Sequence, residues 1–159
     1  MTDAFPSLAE LAAEEEELQF SSFTNDDAWE LGSALVAAAR ERSAPVVIDV
    51  TRNGHQLFRA ALPGSTPDND TWIARKQRVV HRFGHSSLYV RQASRERGTT
   101  FEEEFGLDPA QYAAHGGSFP VRIRDVGVVG TVTVSGLPQA DDHALVVEAI
   151  EKFLVGQPG

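Results

Sequence analysis

The chain has 159 residues, no cysteine and a formal net charge of −9, with 42% hydrophobic and 23% charged residues. That length buries a continuous core without disulfides, and the composition excludes disorder throughout, thiolate metal sites and a cysteine nucleophile. The acidic balance argues against nucleic acid and anionic membrane surfaces as partners.

Residues 7–17 read as a short acidic helix with Leu8, Leu11 and Ala12 on its apolar side. LQFSSF (18–23) reads as a strand. Thr24 to Asp27 offer an N-cap and first-turn acids, and Ala28, Leu31, Leu35, Val36 and Ala39 then repeat with period 3.6 to about Arg42. PVVIDVTRNGHQLFRAAL (45–62) predicts a hairpin turning at Asn53-Gly54. Thr66 to Asp70 read as a loop before a helix that begins near Thr71 or Trp72. Gly84 punctuates that helix, and another runs from Ser86 to about Arg95.

Residues 101–117 read as short helical turns. SFPVRIRDVGVVGTVTVSG (118–136) predicts a second hairpin turning near Arg124-Asp125, with Val126 in its return strand. Gly127 and Gly130 there mark a bulge or a close backbone approach. A last helix follows Pro138, with Asp141 and Asp142 in its first turn and Val146, Val147, Ile150, Phe153 and Leu154 on its buried face. This order implies an α/β protein of the two-layer α+β kind, with a five-stranded antiparallel sheet covered by helices. It is expected to form one domain over 1–159, frayed at 1–6 and 156–159. No apolar run approaches the roughly 18 residues of a membrane span. The first residues lack the basic and apolar regions of a secretory signal, so the protein is expected to be cytoplasmic.

Three features carry candidate chemistry. His115-Gly116-Gly117 reads either as a ligand-facing imidazole beside exposed glycine amides, or as a turn that needs positive φ. Asp141-Asp142-His143 reads either as helix capping or as a cluster for a cation or for proton transfer. The stretch from Thr71 to Arg95 contains no acid but holds Arg75, Lys76, Arg78, Arg82, Arg91 and Arg95. It reads either as a patch for phosphate or carboxylate groups, with Trp72 and Tyr89 to stack on a planar ligand, or as the partner of the glutamate runs 14–17 and 102–104. His81 and His85 have i, i+4 spacing, but Gly84 lies between them and no third ligand is evident. No phosphate-binding loop, serine-hydrolase elbow, zinc-protease helix or haem-attachment motif is present, so no catalytic residue is assigned.

Taken together, the hairpin 45–62, PDNDTWIARKQRVV, Ser86-Ser87, YAAHGGSFPVRI and GVVGTVTVSGLPQADDH resemble the GlcG/HbpS-like family. They resemble above all its branch of small cytoplasmic proteins labelled as haem-degrading-domain or uncharacterised. The resemblance implies a profilin-like or PAS-like five-stranded sheet and homo-oligomers, either dimers or rings of dimers. It also implies haem as a cofactor, with oxidative haem degradation attributed to one relative. It points to His115, by that residue's place at the Gly-Gly strand entry, as the haem-iron ligand. For a bound haem, the candidates in this chain are His115 or His81 for the iron, Gly116 and Gly117 beside it, Arg75, Lys76 and Arg78 for the propionates and Trp72 for packing. Two other readings stand beside this one: a binder or enzyme of a small anionic metabolite, and a non-catalytic oligomeric interaction module.

Overall fold

The computed structural model describes residues 5–157. Local capping sets where its helices begin. α1 (Leu8–Glu17) starts at Ser7, whose hydroxyl accepts from Glu10 N while the Glu10 carboxylate accepts from Ser7 N. α2 (Asn25–Glu41) repeats the arrangement with Thr24 and Asp27. Between them, the segment expected to be a fifth strand makes only a single parallel bridge. Phe20 N donates to the Arg122 carbonyl and Arg124 N donates to the Phe20 carbonyl. The sheet therefore has four strands, and the expectation of five is corrected.

β1 (Val47–Arg52) and β2 (His55–Ala61) form the first hairpin, with Asn53 and Gly54 both at positive φ as the tight turn requires. α3 (Pro67–Phe83) begins four residues earlier than the Thr71 of the sequence reading. Asn69 Oδ1 accepts from Thr66 N, and Pro67 occupies a first-turn position where its missing N–H costs nothing. Gly84, at φ 74, closes α3 in the left-handed conformation. α4 (Ser87–Glu96) and the single-turn α5 (Phe101–Phe105) follow, capped by Ser86 and Thr100.

β3 (Ser118–Ile123) and β4 (Gly127–Ser135) form the second hairpin. Val126 sits in its turn, 70% exposed, and not in the return strand as expected, because Asp125 and Gly127 both take positive φ around it. Gly130 meets both halves of its expectation. The β3–β4 register shifts beside it, and a side chain there would collide with the Thr51 carbonyl of β1. α6 (Gln139–Val155) ends the fold.

The strand order is β2-β1-β4-β3, antiparallel throughout. On one face, Ile48, Val50, Phe119, Val121, Val132 and Val134 pack with the apolar sides of α2 and α6. The alternate residues of β1, β3 and β4 include Asp49, Thr51, Ser118, Thr131, Thr133 and Ser135, six buried polar side chains beside Val47 and Pro120. They lie on the side covered by α3 and α4. Gln77 Nε2 of α3 donates to Asp49 Oδ1 at 2.6 Å, and Ser118 Oγ is 2.9 Å from Thr133 Oγ1. A smaller apolar cluster of Val79, Val90, Phe101 and Ala114 joins α3, α4 and α5.

Of the stretches expected to fray, residues 1–4 and 158–159 lie outside the described residues. Phe5 packs under the Arg91 guanidinium, and Gln157 exchanges bonds with Ser21 N and the Ser22 carbonyl. No helix among the described residues is long and apolar enough to cross a membrane.

Candidate functional site

A cleft of about 300 Å³ opens where α3 passes the C-terminal end of β4 and the start of α6. Its floor is Lys76 of α3 and Asp142 of α6, only 3% and 2% exposed. Lys76 Nζ donates to Asp142 Oδ2 and to the Val134 carbonyl, each at 3.1 Å. The Asp142 carboxylate also accepts from Gly136 N and Leu137 N, at 3.3 and 2.9 Å. It therefore caps the turn leading into α6 and pairs with a lysine at the same time. Burial pushes the Asp142 carboxyl up to about 6, against the opposing pull of Lys76 and of the two backbone donors. Burial likewise lowers Lys76, although Asp142 favours its charged form.

The walls are Asn69, which donates to Ser135 Oγ at 3.4 Å, and Gln139, whose side-chain carbonyl accepts from Gly116 N at 3.0 Å. Trp72 and His115 form the rim, their rings edge-to-face at 5.0 Å. His115 is half-buried, and neither of its ring nitrogens has a hydrogen-bond partner among the described residues. Burial, with Lys76 close by, holds the imidazole below its usual range; Arg75 and Arg91 add to this and Glu102 opposes it. The imidazole is therefore held neutral.

Gly116 and Gly117 bring this loop against the floor. A side chain at Gly116 would collide with the Gln139 carbonyl. One at Gly117, where φ is 134, would collide with the Val134 carbonyl and crowd Lys76 Nζ. The two readings of the His-Gly-Gly stretch thus meet in one arrangement, a strained turn that sets an imidazole on a cleft.

The remaining sequence candidates scatter. Arg75 stacks over Trp72 at 4.4 Å and donates to the Pro109 carbonyl, so it belongs to the rim. Arg78 is exposed and donates to the Gln111 carbonyl. His81 is exposed on α3. His85 lies beyond the Gly84 cap, so these two histidines share no helix face, and no group of three metal-ligating side chains occurs among the described residues. Lys76 is buried against Asp142, which removes it as a free cation for a propionate.

The glutamate run does not pair with the arginine block as its charge suggested. Glu14 Oε1 lies 2.8 Å from His143 Nε2, and Glu15 Oε1 lies 2.8 Å from His85 Nδ1, with Arg122 at 3.7 Å. Among the described residues, Arg75, Arg78, Arg82, Arg91 and Arg95 reach no carboxylate at ion-pair distance; of the basic block, only Lys76 does. Sequence reasoning singled out the stretch from Ser135 to His143 but gave no role to Ser135 or Gln139, and it missed Asn69. Only their meeting at one cleft marks them, and no spacing in the chain does.

A family model described as haem degrading protein HbpS-like matches residues 23–151. A UPF0303 protein of Streptomyces coelicolor is 65% identical over 149 residues, covering 94% of each chain. Among solved structures, the Ybr137w protein superposes with a TM-score of 0.86 at 38% identity, covering 93% of this chain and 88% of that one. The PduOC:haem complex superposes with a TM-score of 0.67 at 19% identity, covering 82% and 94%, a likeness of fold.

Proposed function

The chain belongs to the HbpS-like family of haem-degrading proteins, and from that premise we propose that it binds a haem-type tetrapyrrole at the rim of the cleft. His115 carries this reading: it is a half-buried imidazole, held neutral, with both nitrogens free of hydrogen-bond partners among the described residues. A neutral imidazole presents the lone pair that iron needs. The Trp72 face beside it suits a planar macrocycle. Arg75 and Arg91 supply cations for propionates, unpaired with any carboxylate among the described residues.

These rim residues fit the group. The floor does not, because Lys76, Asp142, Asn69 and Ser135 offer hydrogen bonds where a macrocycle needs apolar surface. His115 would therefore hold iron, Trp72 would pack on the ring, and the arginines would bind its carboxylates. Bound haem would supply dioxygen and electron chemistry.

The test is a hemin titration of the purified chain, followed by absorbance. A saturable, sharpened Soret band that disappears in His115→Ala and persists in His81→Ala is the expected result. A spectrum unchanged by His115→Ala removes the ligand assignment, and a featureless titration removes the haem reading.

The family premise also carries homo-oligomeric assembly into the proposal. β2 is an open sheet edge, and Trp29, 65% exposed, stands beside it against Phe58. Sedimentation at low micromolar concentration is expected to show a dimer or larger, and a monomer there overturns it.

A further inference from the structure

The chain has only two lysines, Lys76 and Lys152, among 14 basic residues. Arginine is therefore the residue this protein uses for surface charge and for ion pairs such as Arg59 with Asp49. Arginine is also the better choice for a buried pair, because its fork satisfies a carboxylate and it never loses its proton. The most buried cation in the chain is nevertheless a lysine. It lines a cleft, and Gly117 packs where any side chain would crowd its Nζ. A primary amine does one thing there that a guanidinium does not: it acts as a nucleophile.

We propose that the Lys76–Asp142 pair makes the cleft a site for small oxoacids, with Lys76 Nζ adding to the substrate's carbonyl carbon to form an imine. In the neutral amine two N–H bonds remain, and two acceptors stand 3.1 Å away, Val134 O and Asp142 Oδ2. With both N–H groups engaged, the lone pair is the part of Nζ left for the cleft. Desolvation favours that neutral form.

Attack forms the C–N bond as the carbonyl π electrons move to oxygen. Asp142 carries one proton from nitrogen to the alkoxide, giving the carbinolamine, and then a second from nitrogen to the hydroxyl, which leaves as water as the C=N bond forms, so amine plus carbonyl gives imine plus water with no redox change. Asp142 suits both transfers, because its carboxyl titrates at about 6. The substrate's carboxylate is drawn by Arg75 and by the cation-rich rim around His115. A cleft of about 300 Å³ admits a compound of a few carbons. This inference does not depend on the haem reading.

The test uses the full chain without haem, with pyruvate as the probe and sodium cyanoborohydride to reduce any imine. Lys76 and Lys152 peptides are then compared by mass. Lys152 is 76% exposed and serves as the internal control. Labelling of Lys76 is expected to exceed that of Lys152 by about tenfold near neutral pH, because burial favours the free amine at Lys76. Equal labelling, or more on Lys152, overturns the proposal.

Propanal in place of pyruvate is expected to label Lys76 at least about tenfold more slowly; equal labelling overturns the oxoacid class. In Asp142→Asn, with a cooperative melt retained, Lys76 labelling is expected to fall about tenfold or more while Lys152 is unchanged. Undiminished labelling overturns the role given to Asp142. Loss of hemin binding with labelling intact would remove the haem reading alone, and the reverse would remove this one alone.

Discussion

One face of the sheet presents Ile48, Val50, Phe119, Val121, Val132 and Val134 to α2 and α6, whereas the other presents Asp49, Thr51, Ser118, Thr131, Thr133 and Ser135 to α3 and α4. The apolar face needs only volume and pattern from its helices, since burial of hydrocarbon is non-directional. The polar face needs a partner for every oxygen and nitrogen it hides. α3 therefore brings Gln77 to Asp49, Asn69 to Ser135 and Lys76 to Asp142. Those demands fix the position of α3 along the sheet, and the cleft opens where it passes the start of α6. The stabilising face and the site-building face are two sides of the same strands, which is why Val134 belongs to the core through its side chain and to the cleft through its carbonyl.

The comparison breaks if the polar face tolerates loss of a partner. Lys76→Met leaves the Asp142 carboxylate buried beside no cation, and it is expected to cost about 3–5 kcal/mol in denaturant unfolding. A cost below about 1 kcal/mol would mean that the floor is not a tightly built pair. Next in size, Leu35→Ala on the apolar side is expected to cost about 3 kcal/mol through its cavity. Hemin affinity in that variant should stay within about twofold of the parent, because Leu35 lies across the sheet from the rim. A large affinity change would merge the two faces into one function.

Gly117→Ala sharpens the link between loop and floor. Its φ of 134 and the collision with the Val134 carbonyl predict a loss of about 1–3 kcal/mol, read as a lowered Tm. Asp142 predicts a pH signature. Its folded-state carboxyl, at about 6, lies above the ordinary 3.8, so the folded state holds the proton more tightly and stability falls as pH rises through that window. Asp142→Asn is expected to flatten the stability profile between those two values, and an unchanged slope would discard the shift.

The smallest effect has the opposite sign. Thr131 Oγ1 is buried on the polar face with no partner among the described residues. Thr131→Val should be neutral or stabilising by up to about 1 kcal/mol in thermal unfolding, and a clear loss would mean that the hydroxyl is bonded in solution.

Both hairpins and most of the helical spans were legible in the chain, because Asn53-Gly54, the glycines of 127–136 and the period of Leu31 and Leu35 act within a few residues. The start of α3 was misread because Asp and Asn near Pro67 signal a loop and a capped helix equally well. Asp49 inside VVIDV was a visible warning of the polar face, since an acid in an apolar strand needs partners. Those partners, Arg59 and Gln77, lie 10 and 28 residues away.

The sequence by itself determined the elements, the α+β class, the absence of cysteine chemistry and the candidacy of His115 beside two glycines, because these depend on local sterics and side-chain type. Tertiary structure alone decided that LQFSSF makes one bridge in place of a strand, that Glu14 and Glu15 of α1 meet His143 and His85 in place of the arginines of 71–95, and that Lys76 is buried against Asp142. Charge pairing and burial depend on which elements meet in space. An amine 66 residues from its carboxylate gives no sign of that meeting in the chain.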